Sequence, residues 1–201
     1  MDADAWDERY AATELVWSAD PNQFLVAEVD GMAPGRALDL ACGEGRNALW
    51  LAERGWTVTA VDFSAVAIAK ASQLAEARHV EVEWMTADLL RWRPPEAAFD
   101  LVVLFYLQLA APERGRVLGG AASAVADGGT LLYVAHDLEN LTAGTGGPQD
   151  PTVLATAEDV AAVLVAAGLE IERAGQVRRV VGSGPDEGGR EAIDTLVRAH
   201  R

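Results

Sequence analysis

The feature that most restricts the fold of this chain is a glycine-rich turn between an apolar strand and a helix. The apolar run at residues 37–40 is typical of a strand buried on both faces, and helical spacing begins just beyond the turn. Gly43, Gly45 and Ala48 follow the pattern G-x-G-x-x-G/A, in which the first glycine permits a tight turn and the second lets a ligand approach the backbone. The small third residue lets helix pack on strand. Free N–H groups and a helix start predict an anion-binding turn here.

An acidic residue strengthens this prediction. Asp62 comes about 20 residues after the turn, at the end of a second apolar run at 58–61. A carboxylate at the end of that strand is suited to accept hydrogen bonds from the hydroxyls of a ribose. The turn and Asp62 together predict a ligand that contains adenosine. Dinucleotide enzymes and methyltransferases share this architecture, so both classes of enzyme are open at this point.

The stretch Asp39-Leu-Ala-Cys-Gly-Glu-Gly-Arg-Asn-Ala resembles motif I of the Rossmann-like S-adenosylmethionine (SAM)-dependent methyltransferases. Its Gly-x-Gly-Arg-Asn form, Gly43 to Asn47, is most similar to the tellurite-resistance and thiopurine methyltransferase branch. The resemblance implies an α/β fold with a seven-stranded, mostly parallel sheet in the order 3-2-1-4-5-7-6, an antiparallel last strand and helices on both faces. It also implies SAM as the cofactor, bound by the following residues: Tyr10, Asp39, Ala41, Gly43, Gly45, Arg46, Asn47, Asp62, Phe63, Asp88, Leu89 and Phe105.

Within that resemblance, Asp88 and Leu89 correspond to the corner that holds the adenine ring, where the carboxylate accepts from the exocyclic amine. Tyr10 would contact the methionine part of SAM, and either Arg9 or Arg46 would meet its carboxylate. A plain turn aspartate is the alternative for Asp88.

Composition restricts the class of partner. The 201 residues, half of them hydrophobic, predict one domain over 1–201. The net charge of −15 and the scattered basic residues argue against a nucleic-acid partner. An acidic N-terminus and the absence of a membrane-spanning stretch favour a cytoplasmic protein that makes no membrane contact. For the oligomeric state, the sequence leaves a monomer and a homodimer open. The lone Cys42 excludes an intrachain disulfide and a cysteine metal cluster, and we expect no metal.

Hydrophobic periodicity and capping residues predict the remaining elements. Ser64 and Thr156 are expected N-caps, Gly55 a helix C-cap, and residues 101–105 a central parallel strand. The predicted helices are Trp6–Leu15, one after Asn22, Arg46–Arg54, one from Ala65, Pro112–Ala126 and Ala157–Ala167. The predicted strands are those before and after the glycine turn, Val80–Met85, Phe99–Phe105, Thr130–Ala135, Leu169–Val181 and Glu191–Arg198, the last two joined by a turn at 182–189.

Two segments are predicted to cover the site. Residues 1–34 contain Trp6, Tyr10 and Trp17, more aromatic residues than a tail needs, and Trp6–Tyr10 resembles the N-terminal lid of the family. Residues 138–154 form a long, glycine-containing connection, and such connections inside a compact domain are usually functional or disordered. We expect a substrate lid there, with a plain surface loop as the alternative.

Candidate catalytic residues follow the carboxyl ends of two central strands, which face the same crevice as the glycine turn. Tyr106 and Gln108 follow one strand, and His136 and Asp137 follow another. The Asn/Asp-Pro-Pro-Tyr box of DNA and protein amide methyltransferases is absent at 105–108. If the acceptor is an oxygen or nitrogen acid, His136 is the natural base and Asp137 its partner or a second base. A soft sulfur, selenium or tellurium anion needs no base.

The sequence therefore predicts a SAM-dependent methyltransferase that acts on a small molecule, such as a thiol, a metalloid or another small nucleophile. Two alternatives stay open: a SAM-binding protein without catalysis, and a nicotinamide-dependent reductase. The reductase is disfavoured because the Tyr-x-x-x-Lys pair is absent: Lys70 is the sole lysine, and the residue four positions before it is Val66.

Overall fold

The computed structural model describes residues 3–13, 15–16, 19–181 and 189–201, and their strands form one seven-stranded sheet. The strands are β1 (Arg36–Leu40), β2 (Thr57–Asp62), β3 (Glu83–Thr86), β4 (Phe99–Phe105), β5 (Val125–His136), β6 (Glu170–Val180) and β7 (Glu191–His200). Their order is β3-β2-β1-β4-β5-β7-β6, and β7 runs antiparallel to both of its neighbours. The predicted sheet order and antiparallel last strand are confirmed.

The helices pack around this sheet, and two of them begin directly after the predicted N-caps Ser64 and Thr156. They are α1 (Ala3–Ala11), α2 (Gln23–Val29), α3 (Arg46–Ala52), α4 (Ala65–Arg78), α5 (Ala111–Ala124), α6 (Asn140–Ala143) and α7 (Ala157–Ala166). The Ser64 hydroxyl accepts from Ala67 N, and Thr156 forms a reciprocal capping box with Asp159. Within the described ranges, no helix is long and apolar enough to cross a membrane.

β4 lies at the centre of the sheet and is buried on both faces, as its uninterrupted apolar run predicts. Val102 and Leu104 point into one core, which α5 and α7 cover, whereas Leu101 and Val103 point into a second core that includes α2 and α3. With helices on both faces, the carboxyl ends of the parallel strands are left open at one edge of the sheet, which is where ligands bind in such folds.

Several predicted boundaries need correction. α1 ends at Ala11 rather than Leu15. β3 begins at Glu83 rather than Val80, because Val80 N still bonds to Ala75 O at the end of α4. β5 begins at Val125, inside the predicted helix, because Val125 pairs with Phe99. Residues 182–188 of the predicted turn, like Trp17, lie outside the described residues.

Candidate active site

A cavity of about 430 Å³ opens at the carboxyl ends of β1, β2, β4 and β5. This volume lies within the usual range for small-molecule sites. The structure brings together there most of the predicted residues: Tyr10, Ala41, Gly43, Arg46, Asn47, Asp62, Phe63, Phe105, Tyr106, Gln108 and His136. It does not bring to the cavity wall the other predicted residues: Asp39, Gly45, Asp88, Leu89 and Asp137.

The glycine turn is held by hydrogen bonds to β2. Gly43 N donates to the Asp62 carboxylate at 2.8 Å, and Cys42 N donates to Val61 O at 3.1 Å. Gly45 has a φ of +77°, and a Cβ there would lie 2.4 Å from Cη2 of Trp84. The absent side chain of Gly45 thus makes room for Trp84, and its contact with a cofactor stays a prediction.

Asp62 occupies the position predicted for a ribose-binding carboxylate. It is buried, and its two oxygens accept backbone N–H bonds from Gly43 at 2.8 Å and from Ser64 at 2.9 Å. Burial raises the pKa of Asp62 and outweighs the backbone hydrogen bonds, which lower it. Since each carboxylate oxygen has more than one lone pair, Asp62 keeps acceptor capacity toward the cavity.

Asp39 lies behind the turn rather than in the cavity wall. It is 1% exposed, and burial together with the nearby charge of Asp62 raises its pKa to about 7. Its Oδ2 has no hydrogen-bond partner within the described part of the chain. A buried acceptor without a partner is costly, so a water molecule or a ligand group that donates a hydrogen bond would relieve that cost.

Asp88 and Leu89, predicted to hold adenine, do not line the cavity in this structure. Asp88 Oδ1 accepts from Leu90 N at 2.9 Å, and its other oxygen lies 3.7 Å from Arg91 Nε. The carboxylate is therefore engaged within its own turn. Leu89 packs against the core and lines a separate small pocket beside Trp92.

Tyr106, His136, Arg179 and Asp194 form a group that we call the Asp194 cluster. The Tyr106 hydroxyl donates to Asp194 Oδ2 at 2.8 Å, and Arg179 Nε donates to the same oxygen at 3.0 Å. His136 Nδ1 lies 3.1 Å from Asp194 Oδ1. The backbone brings these residues together because His136 pairs directly with Asp194 across β5 and β7.

The cluster fixes protonation states as well as positions. Asp194 is fully buried, which alone would raise its pKa, but the nearby His136, the charge of Arg179 and the hydrogen bonds from Arg179 and Tyr106 outweigh burial and hold the pKa below its ordinary value. Burial, and then the charge of Asp194, raise the pKa of Tyr106 to about 12. The ionised Asp194 thus engages Nδ1 of His136, and Nε2 remains as the nitrogen available to a ligand.

Asp137 does not partner His136, contrary to the sequence-based expectation. It is 2% exposed, and its carboxylate accepts from Thr195 Oγ1 at 2.5 Å, Glu139 N at 2.9 Å and Gln176 Nε2 at 3.0 Å. These bonds tie the end of β5 to its neighbours. Asp137 therefore has a structural role, and Asp194 is the carboxylate that lies beside His136, the position predicted for Asp137.

Sequence reasoning missed Asp194 and Arg179. One signal was present, because Asp194 interrupts the otherwise apolar run Ala192-Ile193 and Leu196-Val197 inside a strand. A carboxylate buried in a strand needs partners, which marks it for attention. Arg179 has no comparable signal, since it follows Arg178 on an edge strand with alternating exposure.

The N-terminal segment lies against the cavity. Trp6 and Tyr10 line it, and Lys70 Nζ donates to Tyr10 O at 2.5 Å. The buried carboxylate of Glu44, within the glycine turn, accepts from Val16 N at 2.9 Å. Arg9 stacks over the Trp6 ring at 5.0 Å and is not part of the cavity wall, so Arg46 is the better placed of the two cations predicted to meet a ligand carboxylate.

The segment 138–154 contains α6 and a short 3₁₀ helix at Pro151–Val153, and none of its residues lines the cavity. Asn140 anchors it, since its side chain accepts from Ile193 N at 2.7 Å and donates to Gly146 O at 2.8 Å. Gly147 packs on the imidazole of His136, where a Cβ would lie 3.0 Å from the ring. The segment thus contacts the cluster from behind the cavity wall.

The residues that line the cavity fit SAM, independently of any comparison with known proteins. The cavity holds a buried carboxylate, Asp62, for ribose hydroxyls, and the guanidinium of Arg46 for a ligand carboxylate. Burial lowers the pKa of Arg46, which has no ion-pair partner among the described residues. An anionic ligand group would supply that partner.

Comparisons with known proteins agree with this geometry. Residues 37–129 match the methyltransferase domain family. Demethylmenaquinone methyltransferase of Thermus thermophilus is 39% identical over 104 residues, which are 51% of this chain and 47% of that protein. The chain spans about half the length of the first curated relatives it matches.

Solved structures extend the likeness to nearly the whole chain. A structure that describes the conversion of a disulfide bond into a thioacetal group during echinomycin biosynthesis superposes with a TM-score of 0.76 at 24% identity, covering 99% of this chain and 92% of that one. TehB from Haemophilus influenzae superposes with a TM-score of 0.72 at 20% identity, covering 99% and 66%. Residues 37–129 thus resemble a methyltransferase domain, and the described chain shares the fold of these solved structures.

Proposed function

We propose that this protein transfers the methyl group of SAM to a small-molecule acceptor. The observation that carries the proposal is a single cavity lined both by the glycine turn, Arg46 and Asp62 and by Tyr106 and His136. The matched methyltransferase domain supports the cofactor assignment, and the relative from Thermus thermophilus supports a small acceptor.

When bound, SAM supplies an activated methyl group, so the protein has mainly to align the reactants and exclude water. In the proposed arrangement Arg46 pairs with the carboxylate of the cofactor and Asp62 accepts from its ribose hydroxyls. Trp6 and Tyr10, on the N-terminal segment, close the cavity against solvent as a lid. Tyr106 keeps its proton at ordinary pH and acts as a hydrogen-bond donor rather than as a base.

His136 is the proposed general base. Its Nδ1 lies 3.1 Å from the ionised Asp194, which leaves Nε2 to take a proton from an acceptor hydroxyl or amine as the methyl group arrives. An Asp–His pair of this kind is of little use to a soft anion, which carries no proton to remove. The pair therefore favours an acceptor that is an oxygen or nitrogen acid. It disfavours the metalloid or thiolate acceptor that the resemblance to the tellurite-resistance branch implies.

A small acceptor, rather than a nucleic acid, is supported by the net charge of −15. Neutralising phosphates requires a basic face, and the 16 basic residues are outnumbered by 31 acidic ones. For the segment 138–154, predicted as a substrate lid, the proposal is instead that it supports His136 from behind the cavity wall through Gly147.

The direct test uses SAM with a deuterated methyl group and a panel of phenols, amines, thiols and tellurite, read out by mass spectrometry. We expect label in a phenol or amine, and loss of that transfer in His136→Ala. Transfer only to thiols or tellurite would contradict the base assignment. Absence of transfer to every acceptor by a protein that binds SAM would support a binding protein without catalysis.

A further inference from the structure

A cation beside the proposed base keeps hydrogen-bond donors for a ligand. Arg179 lines the cavity from the edge strand β6, with its side chain 24% exposed. Its Nε donates to Asp194 at 3.0 Å, and Tyr106 is the other side chain that interacts with the guanidinium. A guanidinium has five N–H donors, so these two partners leave donors that can bind a ligand.

Asp194 cannot absorb that remaining capacity. Its Oδ2 already accepts from Tyr106 and Arg179, and its Oδ1 faces His136. The other carboxylates of the cavity wall are engaged too, since Glu44 pairs with Lys70 at 3.3 Å and Asp62 holds the glycine turn. The chain has a net charge of −15, so acidic side chains far outnumber basic ones. An arginine that nevertheless keeps unoccupied donors in a cavity is suited to bind an anionic ligand.

SAM offers one carboxylate, which is assigned to Arg46 at the glycine turn, whereas the cavity presents two guanidinium groups. Arg46 and Arg179 both lie near Tyr106, and the guanidinium carbon of Arg179 is 5.7 Å from that ring. One carboxylate cannot form a bidentate pair with both arginines. A guanidinium presents two parallel N–H groups that match a carboxylate in a bidentate pair. The second anion must therefore come from the other reactant.

We propose that the methyl acceptor carries a carboxylate, which pairs with Arg179 while the acceptor's nucleophilic atom lies at His136 Nε2. This inference rests on the proposed function and specifies its substrate class. Arg179 acts on binding and orientation, and it takes no part in proton transfer.

The test compares acids with their neutral amides on the protein saturated with S-adenosylhomocysteine. Calorimetry would follow binding of 4-hydroxybenzoate and 4-hydroxyphenylacetate against 4-hydroxybenzamide and 4-hydroxyphenylacetamide. We expect the acids to bind at least about tenfold more tightly than the amides, as for hydrogen bonds to charged groups. Arg179→Gln should remove this preference, whereas Arg179→Lys, which keeps the charge, should retain part of it.

Arg178→Gln is the matched control, because Arg178 is the neighbouring arginine, is half exposed, and pairs with Glu191 rather than lining the cavity. This variant should keep the wild-type preference. Equal binding of acids and amides, failure of every acid to bind, or an undiminished preference in Arg179→Gln would each overturn the inference while leaving the cofactor assignment intact. Failure of S-adenosylhomocysteine itself to bind would instead overturn the proposed function.

Discussion

At the glycine turn, the residues that line the cavity come from neighbouring stretches of chain, whereas the Asp194 cluster gathers residues from four strands. Gly43, Arg46 and Asp62 lie within 20 residues of one another. Tyr106 and Asp194, which share a hydrogen bond, are separated by 88 residues. A strand–turn–helix unit can adopt only a few backbone conformations, so its local sequence largely determines where its residues lie. The cluster exists only after β5 and β7 have paired in the correct register.

This difference predicts different consequences of substitution. Changes at the glycine turn should act on cofactor affinity, and changes in the Asp194 cluster should act on turnover or acceptor binding. The comparison would be contradicted by a substitution at the glycine turn that changed only turnover, or by one in the Asp194 cluster that changed only cofactor affinity.

The largest effect is expected for His136→Ala. Removal of a general base typically lowers kcat by roughly 10²- to 10⁴-fold, and the affinity for S-adenosylhomocysteine should not change. Steady-state kinetics with the acceptor found by mass spectrometry, together with calorimetry, would measure both quantities. His79→Asn is the control, because His79 caps α4 in a left-handed conformation that asparagine tolerates. Full turnover in His136→Ala would show that no base acts there.

Asp62→Ala should weaken S-adenosylhomocysteine binding by about 100-fold, because it removes the ribose acceptor and the bond that shapes the turn at Gly43 N. Calorimetric titration measures this loss. Asp127→Ala, at an exposed position, is the matched control and should bind as the wild type does. Unchanged affinity in Asp62→Ala would remove Asp62 from the cofactor site.

Asp194→Asn should lower kcat by about tenfold with little change in cofactor affinity, because it removes the carboxylate that lies 3.1 Å from Nδ1 of His136. Steady-state kinetics and calorimetry separate this role from a structural one, since a loss of folding would lower both quantities. Asp137→Asn should leave kcat unchanged and only lower the melting temperature. An unaltered kcat in Asp194→Asn would contradict the pairing with His136.

A smaller effect is expected where the segment 138–154 meets His136. Gly146 and Gly147 both have left-handed φ values, of +74° and +76°, but only at Gly147 would a Cβ meet the imidazole. Gly147→Ala should therefore lower kcat several-fold more than Gly146→Ala, with similar losses of stability from backbone strain. Equal kinetics in the two variants would show that this contact does not matter for turnover.

The smallest effect concerns stability and pH. Since the pKa of Asp39 is raised from 3.8 to about 7, the folded protein retains a proton that the unfolded chain releases, and stability falls as pH rises between these values. Asp39→Asn should remove this loss and stabilise the ligand-free protein at pH 8 by at least about 1 kcal/mol, a few degrees in melting temperature. Thermal unfolding at pH 5 and pH 8 measures it, and a pH-independent difference between the two proteins would contradict the assignment.

Local signals account for what the sequence predicted correctly. The apolar run of β4, the caps Ser64 and Thr156 and the glycine turn are each specified by neighbouring residues, and the sheet order followed from the resemblance of motif I. Partnerships between distant strands were not accessible in this way. Asp137 follows His136 directly and seemed its natural partner, but successive residues of a strand point to opposite faces, so the partner had to come from β7.

The central claim is that the cavity binds the adenosyl cofactor of a methyltransferase, and calorimetric titration tests it most directly. The protein would be titrated in parallel with SAM, S-adenosylhomocysteine and NADH. The structure and its comparisons predict binding of the first two and no heat from NADH. Binding of NADH alone would contradict the account and indicate a nicotinamide-dependent reductase.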